Sequence, residues 1–586
     1  MNFLKTFSTA RGATLIDTLV STALMLIVFV GIYGAFQLSV DVVTNNKARA
    51  GALALANEQQ EYIKSLAYDA IGTVGGIPAG AISQTELVSL NGTEYTRRTI
   101  VLYEDDPADG SGVADENDVL TDYKVVKTEV SWLARNGLTR TISLTTRISP
   151  VGIEQAVPGG TLALTVLDAN TQPVALAEVR IVNDSLVPPI DTILYSDTDG
   201  EVTVTGAPPG AGYEITVSRS GYSTAQTYDA TAENTNPTPG HLTVALDATT
   251  AQPFSIDAVA TKNIKTFEPG DIISWDDQFL NTSLLASLVD TEVSGGAVIL
   301  GGGAGAYEAV GEARSVSITP SQVREWGEFS WTDTQPIDTD IVYRVYDGTT
   351  ALSDVALPGN SAGFGTSPID LSSISTTTYT ALSLHATLTS SDVDATPEVN
   401  DWAISYDTGP VPLPDITFGL QGTKTIGNGP GGLIYKYSTT TLSTGSVAGV
   451  NVPNLEWDSY TITVDASTGY DIASSCTPQP EDLLPGDYAT TELLLVAHTN
   501  HSLLVDVQGT GGELIPDASV RLYRTPGYDT TIATDACGQS FFEGLAEGTT
   551  GGGNAYSIDV SASGYTDYTA DDVNVSGTSR LSIVLN

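Results

Sequence analysis

Cysteine is nearly missing from this chain. Only Cys476 and Cys537 occur in 586 residues, too few for a disulfide-built scaffold. Histidine is almost as scarce. His241, His385, His498 and His501 are scattered, and no cluster has metal-ligand spacing. Positive charge is short too: 24 Lys and Arg face 70 Asp and Glu, a formal net charge of −46. That balance argues against nucleic acid and anionic lipid as main partners. The acids are dispersed, which reads as a solvated exterior. No Gly-x-Ser-x-Gly elbow and no phosphate-cradling loop is present. Acid pairs such as Asp105-Asp106 and Asp276-Asp277 leave a β-rich glycosidase open, because its carboxylates need only meet in space. The expectation is of a chain that is not an enzyme and has no resident cofactor. Helical patterns are lacking beyond about residue 70, whereas Thr, Ser, Gly and Val are plentiful, as in a mainly β protein. At about 150 residues per domain, the length implies several domains.

One long apolar run is there. Lys5 and Arg11 precede Gly12, and after Asp17 no charge occurs until Asp41. The run between them is long enough to cross a bilayer as a helix. Asp17 sits just inside it, and a carboxylate there is costly without a partner. The partner we assign is the α-amine of Ala13, freed by cleavage after Gly12. An ordinary secretory signal is cut beyond its apolar region, where Ser39-Val40-Asp41 fits poorly. A plain signal anchor needs no Asp17. Lys5 and Arg11 are expected to stay cytoplasmic, with everything after Asp41 outside and no second span. Past the run, Ala48, Ala52, Leu55, Gln59, Tyr62 and Leu66 recur at helical spacing. Lys47, Glu58, Glu61 and Lys64 lie opposite, and the pattern fails at Gly72 and Gly75-Gly76. From Ala13 to about Asp69 this is a rod of roughly 85 Å.

These residues resemble the N-terminus of type IV pilins and pseudopilins. In that family a prepilin peptidase cuts after glycine, and an acid at the fifth mature position guides assembly. Gly12 matches the cut site, Ala13 the first mature residue and Asp17 the acid. The family usually has Phe or Met first and Glu fifth. The segment Ala54–Asp69 resembles the helix exit of PilV-like minor prepilins. The resemblance implies a leader at 1–12, a transmembrane pilin helix at 13–70 and a small β head at 71–152. It also implies N-methylation of the new terminus. The partners implied are other pilin or pseudopilin subunits, the prepilin peptidase and the inner membrane.

In the head, Tyr95–Tyr103, Tyr123–Trp132 and Thr139–Ile148 carry strand propensity and read as an antiparallel sheet on the helix. The loop between the first two holds Asp105, Asp109, Asp115 and Asn117. Their oxygens suit a hard cation such as Ca2+, although the spacing is not that of an EF-hand. The plainer reading is an acidic hairpin loop whose Asp and Asn fix turns.

Residues 158–248 alternate like a separate β-sandwich, with a tight turn at Asp199-Gly200 and a closing Gly221-Tyr222. The order resembles carboxypeptidase regulatory-like (transthyretin-like) domains, which have no catalytic residues of their own. The pattern returns at 499–586, closing with Gly564-Tyr565, and in a divergent copy at 413–498, closing with Gly469-Tyr470. These three read as beads separated by loops. Residues 254–408 read as a jelly-roll or lectin-like sandwich. Trp326 and Trp331 either fill its core or, if exposed, stack on sugar rings. In an exported chain Cys476 and Cys537 most economically bond to each other, clasping two modules; the alternative is two free thiols.

The expected fold class is mainly β: a long N-terminal transmembrane pilin helix, a small α+β head, then tandem β-sandwich modules. The expected function is a minor pilin or pseudopilin subunit of a type IV pilus or type II secretion-like filament, displayed at the cell surface. The alternative is a membrane-anchored adhesin binding a glycan or protein without assembling.

Overall fold

The charge-free run and the amphipathic stretch after it form one continuous helix, α1 (Leu15–Lys64). The computed structural model describes residues 15–106, 121–152, 157–549 and 554–586, with only the backbone of Asp17. Helix α1 stops earlier than its apolar pattern suggests. The Ser65 N–H donates to Glu61 O, and its hydroxyl donates to Tyr62 O at 2.6 Å. A serine side chain that takes a backbone carbonyl competes with the next helical turn. Tyr68–Ala70 is a separate 3₁₀ turn, so the rod ends about five residues before the expected Asp69, and its described part is about 75 Å long.

The chain makes two compact units, residues 1–259 with 424–436 and residues 260–423 with 437–586. In the first, four antiparallel strands follow α1: β1 (Thr85–Leu90), β2 (Thr93–Glu104), β3 (Tyr123–Leu133) and β4 (Thr139–Ile148), in that spatial order. Alternation puts Val126, Thr128, Val130 and Trp132 of β3 on the buried face. A sandwich follows. One sheet holds Gly160–Leu167, Glu201–Ala207 and Thr249–Ser255; the other is built on Glu178–Asn183, Ile190–Tyr195 and Gly210–Ser218. Leu162, Leu164, Val166, Val179, Ile181, Tyr213 and Ile215 fill the space between them. Tyr222 packs at the edge of this core, after Gly221 at φ 78°. The hairpin made by Thr425–Gly429 and Gly432–Tyr435 pairs with Asn236–Pro237 within this unit.

The second unit holds three sandwiches. Strand pairing places their limits differently from the sequence expectation. Thr249–Ser255 belongs to the sandwich before it, pairing with Gly160–Leu167. Ala260–Glu268 pairs with Tyr488–Ala497 and Gly449–Leu455. It is therefore the first strand of the module expected at 413–498, termed the host sandwich below. Two sheets spanning Ile272 to Asp407 form a sandwich inserted into that module, around Trp326, Phe329, Tyr343, Leu384 and Trp402. A run with strand alternation reveals a strand but not its partner, so the insertion was illegible. The C-terminal sandwich packs Gln539–Phe542, Ser502–Gly509 and Thr578–Leu585 against a sheet centred on Ser519–Arg524 and Tyr556–Ser561.

Candidate functional site: the exposed helix and its seat

Helix α1 has two halves with opposite surroundings. From residue 48 it lies on the head sheet. Ala48, Ala52, Leu55 and Ala56 pack with Tyr95, Val130 and Trp132, and Ile63 with Val101 and Val126. Tyr62, expected on this face, is 52% exposed, and Ile63 takes the buried position. The buried set 52, 56, 59, 60 and 63 keeps to one stripe, and position 62 lies about 100° away from 63. Two glutamines are buried in the seat. Gln59 Nε2 donates to Thr99 Oγ1 at 3.2 Å, and Gln60 Nε2 donates to Thr128 Oγ1 at 3.0 Å and Leu144 O at 3.2 Å. Their amides find partners on three strands, which fixes the helix against sliding. Gly51 allows close approach: a Cβ there would lie 2.5 Å from Tyr95 Oη, which donates to Ala48 O at 3.0 Å.

Before residue 48 no described side chain of the helix is buried. Exposed large apolar side chains run from Leu15 at 81% to Val43 at 66%. Its hydroxyls turn back onto the helix's own carbonyls. Thr22 Oγ1 donates to Thr18 O and Ser39 Oγ to Ala35 O, both at 2.9 Å. Asp41, the first charge after the run, pairs with Arg135 of the head at 3.2 Å. Thus the apolar half begins where the head's polar contacts stop. By length and composition it is the one helix among the described residues able to cross a membrane. Gly12 and Ala13 lie outside the described residues. The Asp17 backbone is inside α1, and its side chain is not described.

The other residues singled out by sequence separate in space. Of the candidate cation ligands, Asp105 follows β2, while Asp109, Asp115 and Asn117 lie outside the described residues. Among the described residues no group of three His, Cys, Asp or Glu could hold a metal. Trp326 and Trp331 are buried, at 0% and 6% exposure. Trp331 stacks on Tyr343 at 4.0 Å and Trp326 Nε1 donates to Tyr379 O at 3.0 Å. They fill the core of the inserted sandwich and offer no platform for a sugar ring. Cys476 and Cys537 form a disulfide, with Cα atoms 4.6 Å apart.

Each histidine has a structural partner. His241 bridges Thr227 Oγ1 at 3.0 Å and Asp229 Oδ1 at 2.9 Å. Thr227 Oγ1 also accepts the Ile215 N–H, which ties that side chain to the sheet. His385 stacks on Tyr346, and burial pushes its pKa down. His498 Nδ1 is 2.7 Å from Asp471, and His501 Nδ1 accepts the Gly577 N–H at 3.0 Å.

Two buried cations went unnoticed in sequence. Lys124 on β3 donates to Tyr68 O and Ile71 O, both at 2.8 Å, and burial lowers its pKa. Lys262 is fully buried in the host sandwich and pairs with Glu481. Burial pushes the Lys262 pKa down, against the opposing pull of Glu481. Both lysines stand at inward positions of alternating strands, the one signal that marks them.

No protein-family model matches the chain, and no curated protein matches it in sequence. Partial likeness extends to the TIE protein of Bacillus anthracis: 9% identity, TM-score 0.15, over 86% of this chain and 74% of that one. For BcpA, the major pilin subunit of Bacillus cereus, the values are 10%, 0.14, 73% and 99%. For GBS52, the minor pilin of Streptococcus agalactiae, they are 9%, 0.15, 57% and 96%. TM-scores at this level define neither fold nor function here. The chain's own coordinates define the class: a mainly β protein, one long apolar N-terminal helix followed by several β-sandwich sheets.

Proposed function

We propose that this chain is a minor, pilin-like filament subunit, anchored by α1 and displaying its sandwiches outside the cell. The observation that carries this reading is the change of surroundings along the continuous helix α1. The half from Leu15 to Val43 is apolar and exposed, and the half from Ala48 to Ile63 is seated on the head. Each large apolar side chain left in water forgoes about 1.5–3 kcal/mol. The exposed half therefore belongs in a bilayer or among neighbouring helices. In this reading a prepilin peptidase cuts after Gly12 and leaves Ala13 with a free, methylatable amine. Asp17 of one subunit then pairs with the Ala13 amine of the next, which removes the cost of an unpaired acid in an apolar array. The bulk beyond residue 150 disfavours stacking every subunit this way, hence a minor component.

Asp17→Ala tests the assignment. The account expects normal membrane retention and loss from filaments, measured by fractionation and immunolabelling of sheared filaments. Filament incorporation equal to the parent chain would remove Asp17 from assembly.

A further inference from the structure

We propose that the first, host and C-terminal sandwiches are built to carry tension along the chain, with the inserted sandwich held out of the line of load. The filament reading supplies the source of the tension. The mechanics belong to the chain alone, so the two stand or fall separately.

Each of the three closes in the same way, with its first and last strands as parallel neighbours. In the first, Thr161↔Thr249 runs in register to Leu167↔Ser255. In the host, Thr261↔Tyr488 runs to Phe267↔Leu494. In the C-terminal sandwich, Ser502↔Thr578 runs to Gly509↔Leu585. Parallel terminal strands place the incoming and outgoing chain at opposite ends of one ladder. A pull on the chain then shears every hydrogen bond of that ladder at once. Antiparallel neighbours pulled from one end open one bond at a time, which takes less force. The last strand of one sandwich leads directly to the first of the next, through residues 256–259 and 498–501.

Two of the ladders also have a side-chain polar tie. In the host, Glu481 of the facing sheet pairs with Lys262 of the first strand and accepts from Thr491 Oγ1 of the last at 2.6 Å. One carboxylate therefore holds both load-bearing strands. In the C-terminal sandwich, Asp506 of the first strand accepts from Ser582 Oγ of the last at 3.3 Å.

The inserted sandwich joins differently. Its first strand, Ile272–Asp277, is antiparallel to its last, Glu398–Asp407, with Ile272 opposite Asp407. Both ends leave through one neck. Asp271 N donates to Thr408 Oγ1 at 2.9 Å and Thr408 N to Asp271 O at 3.1 Å. Val411–Pro412 pairs back onto Phe267 and Glu268 of the host strand. While the host ladder holds, load passes from its first strand to its last and bypasses this neck. Once that ladder parts, the insert is pulled from one end and unzips.

The test is an optical-trap measurement on the full chain in detergent, held by handles at both ends. The 136 residues from Ile272 to Asp407 release roughly 480 Å at about 3.5 Å per residue. The expected record shows that gain only after the host sandwich has yielded, and never before it. Reductant assigns the steps: opening the disulfide, whose cysteines are 61 residues apart, adds about 210 Å to the host and C-terminal gains. Lys262→Met is expected to lower the host's yield force and leave the other steps unchanged. An insert that opens first in the unmodified chain overturns the proposal, whatever the variant does. So does a folded Lys262→Met chain with an unchanged host force.

Discussion

Asp506 is 1% exposed, and its carboxylate accepts from the Gln539 side chain and from Ser582. Burial raises its pKa, against the lowering effect of those hydrogen bonds and of Arg580. A carboxyl whose folded pKa lies above its unfolded value of about 3.9 stabilises the fold fully below that value and loses the contribution as pH rises. An Asp506→Asn chain lacks this term. The melting temperature of the parent, minus that of the variant, should therefore rise between pH 7 and pH 4. A difference that stays flat or falls would show that burial does not govern this group. Such residues were not legible in the sequence. Asp506 and Lys262 are ordinary members of alternating strands there, and only the fold shows which face of each strand is closed. Trp326 and Trp331 were ambiguous for the same reason: sequence gives their size and not their exposure.

At the scale of the element, α1 was readable because a charge-free run between Asp17 and Asp41 has few other uses. Its lower half was readable less well. Periodicity found the stripe through Ala48, Ala52 and Leu55 but drifted to Tyr62, since steps of three and of four from Gln59 both keep helical spacing and lead to Tyr62 and Ile63. The structure makes that a sharp contrast. Ile63→Ala removes a 0% exposed side chain, at a cost of about 2–5 kcal/mol to the head. Tyr62→Ala removes an exposed one and should cost less than about 0.5 kcal/mol. Thermal melts of the two full-length variants check the assignment; equal losses would contradict the seating of α1. The strands beyond α1 were legible as strands, from Thr, Val and Ile alternation. Their pairing was not, and Ala260–Glu268 shows why. Its partners Tyr488–Ala497 are more than two hundred residues further on, across an inserted sandwich.

At the scale of the molecule, the mainly β class followed from composition, whereas the nesting of one sandwich inside another left no mark in it. The Cys476–Cys537 disulfide ties the host to the C-terminal sandwich. Closing a loop of that length restricts the unfolded chain by about 4 kcal/mol in the chain-entropy model. Beside it, Gln539 of the C-terminal sandwich accepts from Ser474 Oγ at 2.9 Å and from Ser475 N at 2.7 Å. Reduction should therefore lower the calorimetric transition of these two sandwiches and leave that of the inserted one in place. A uniform shift of every transition, or none, would contradict the tie.

The account as a whole depends on how the exposed half of α1 begins. Intact-mass and N-terminal peptide mass spectrometry of the chain recovered from cells measures this directly. A chain starting at Ala13, unmodified or methylated, is the expected result and leaves a free amine four residues before Asp17. A chain that still carries Met1 and the leader through Gly12 would contradict assembly by this pairing.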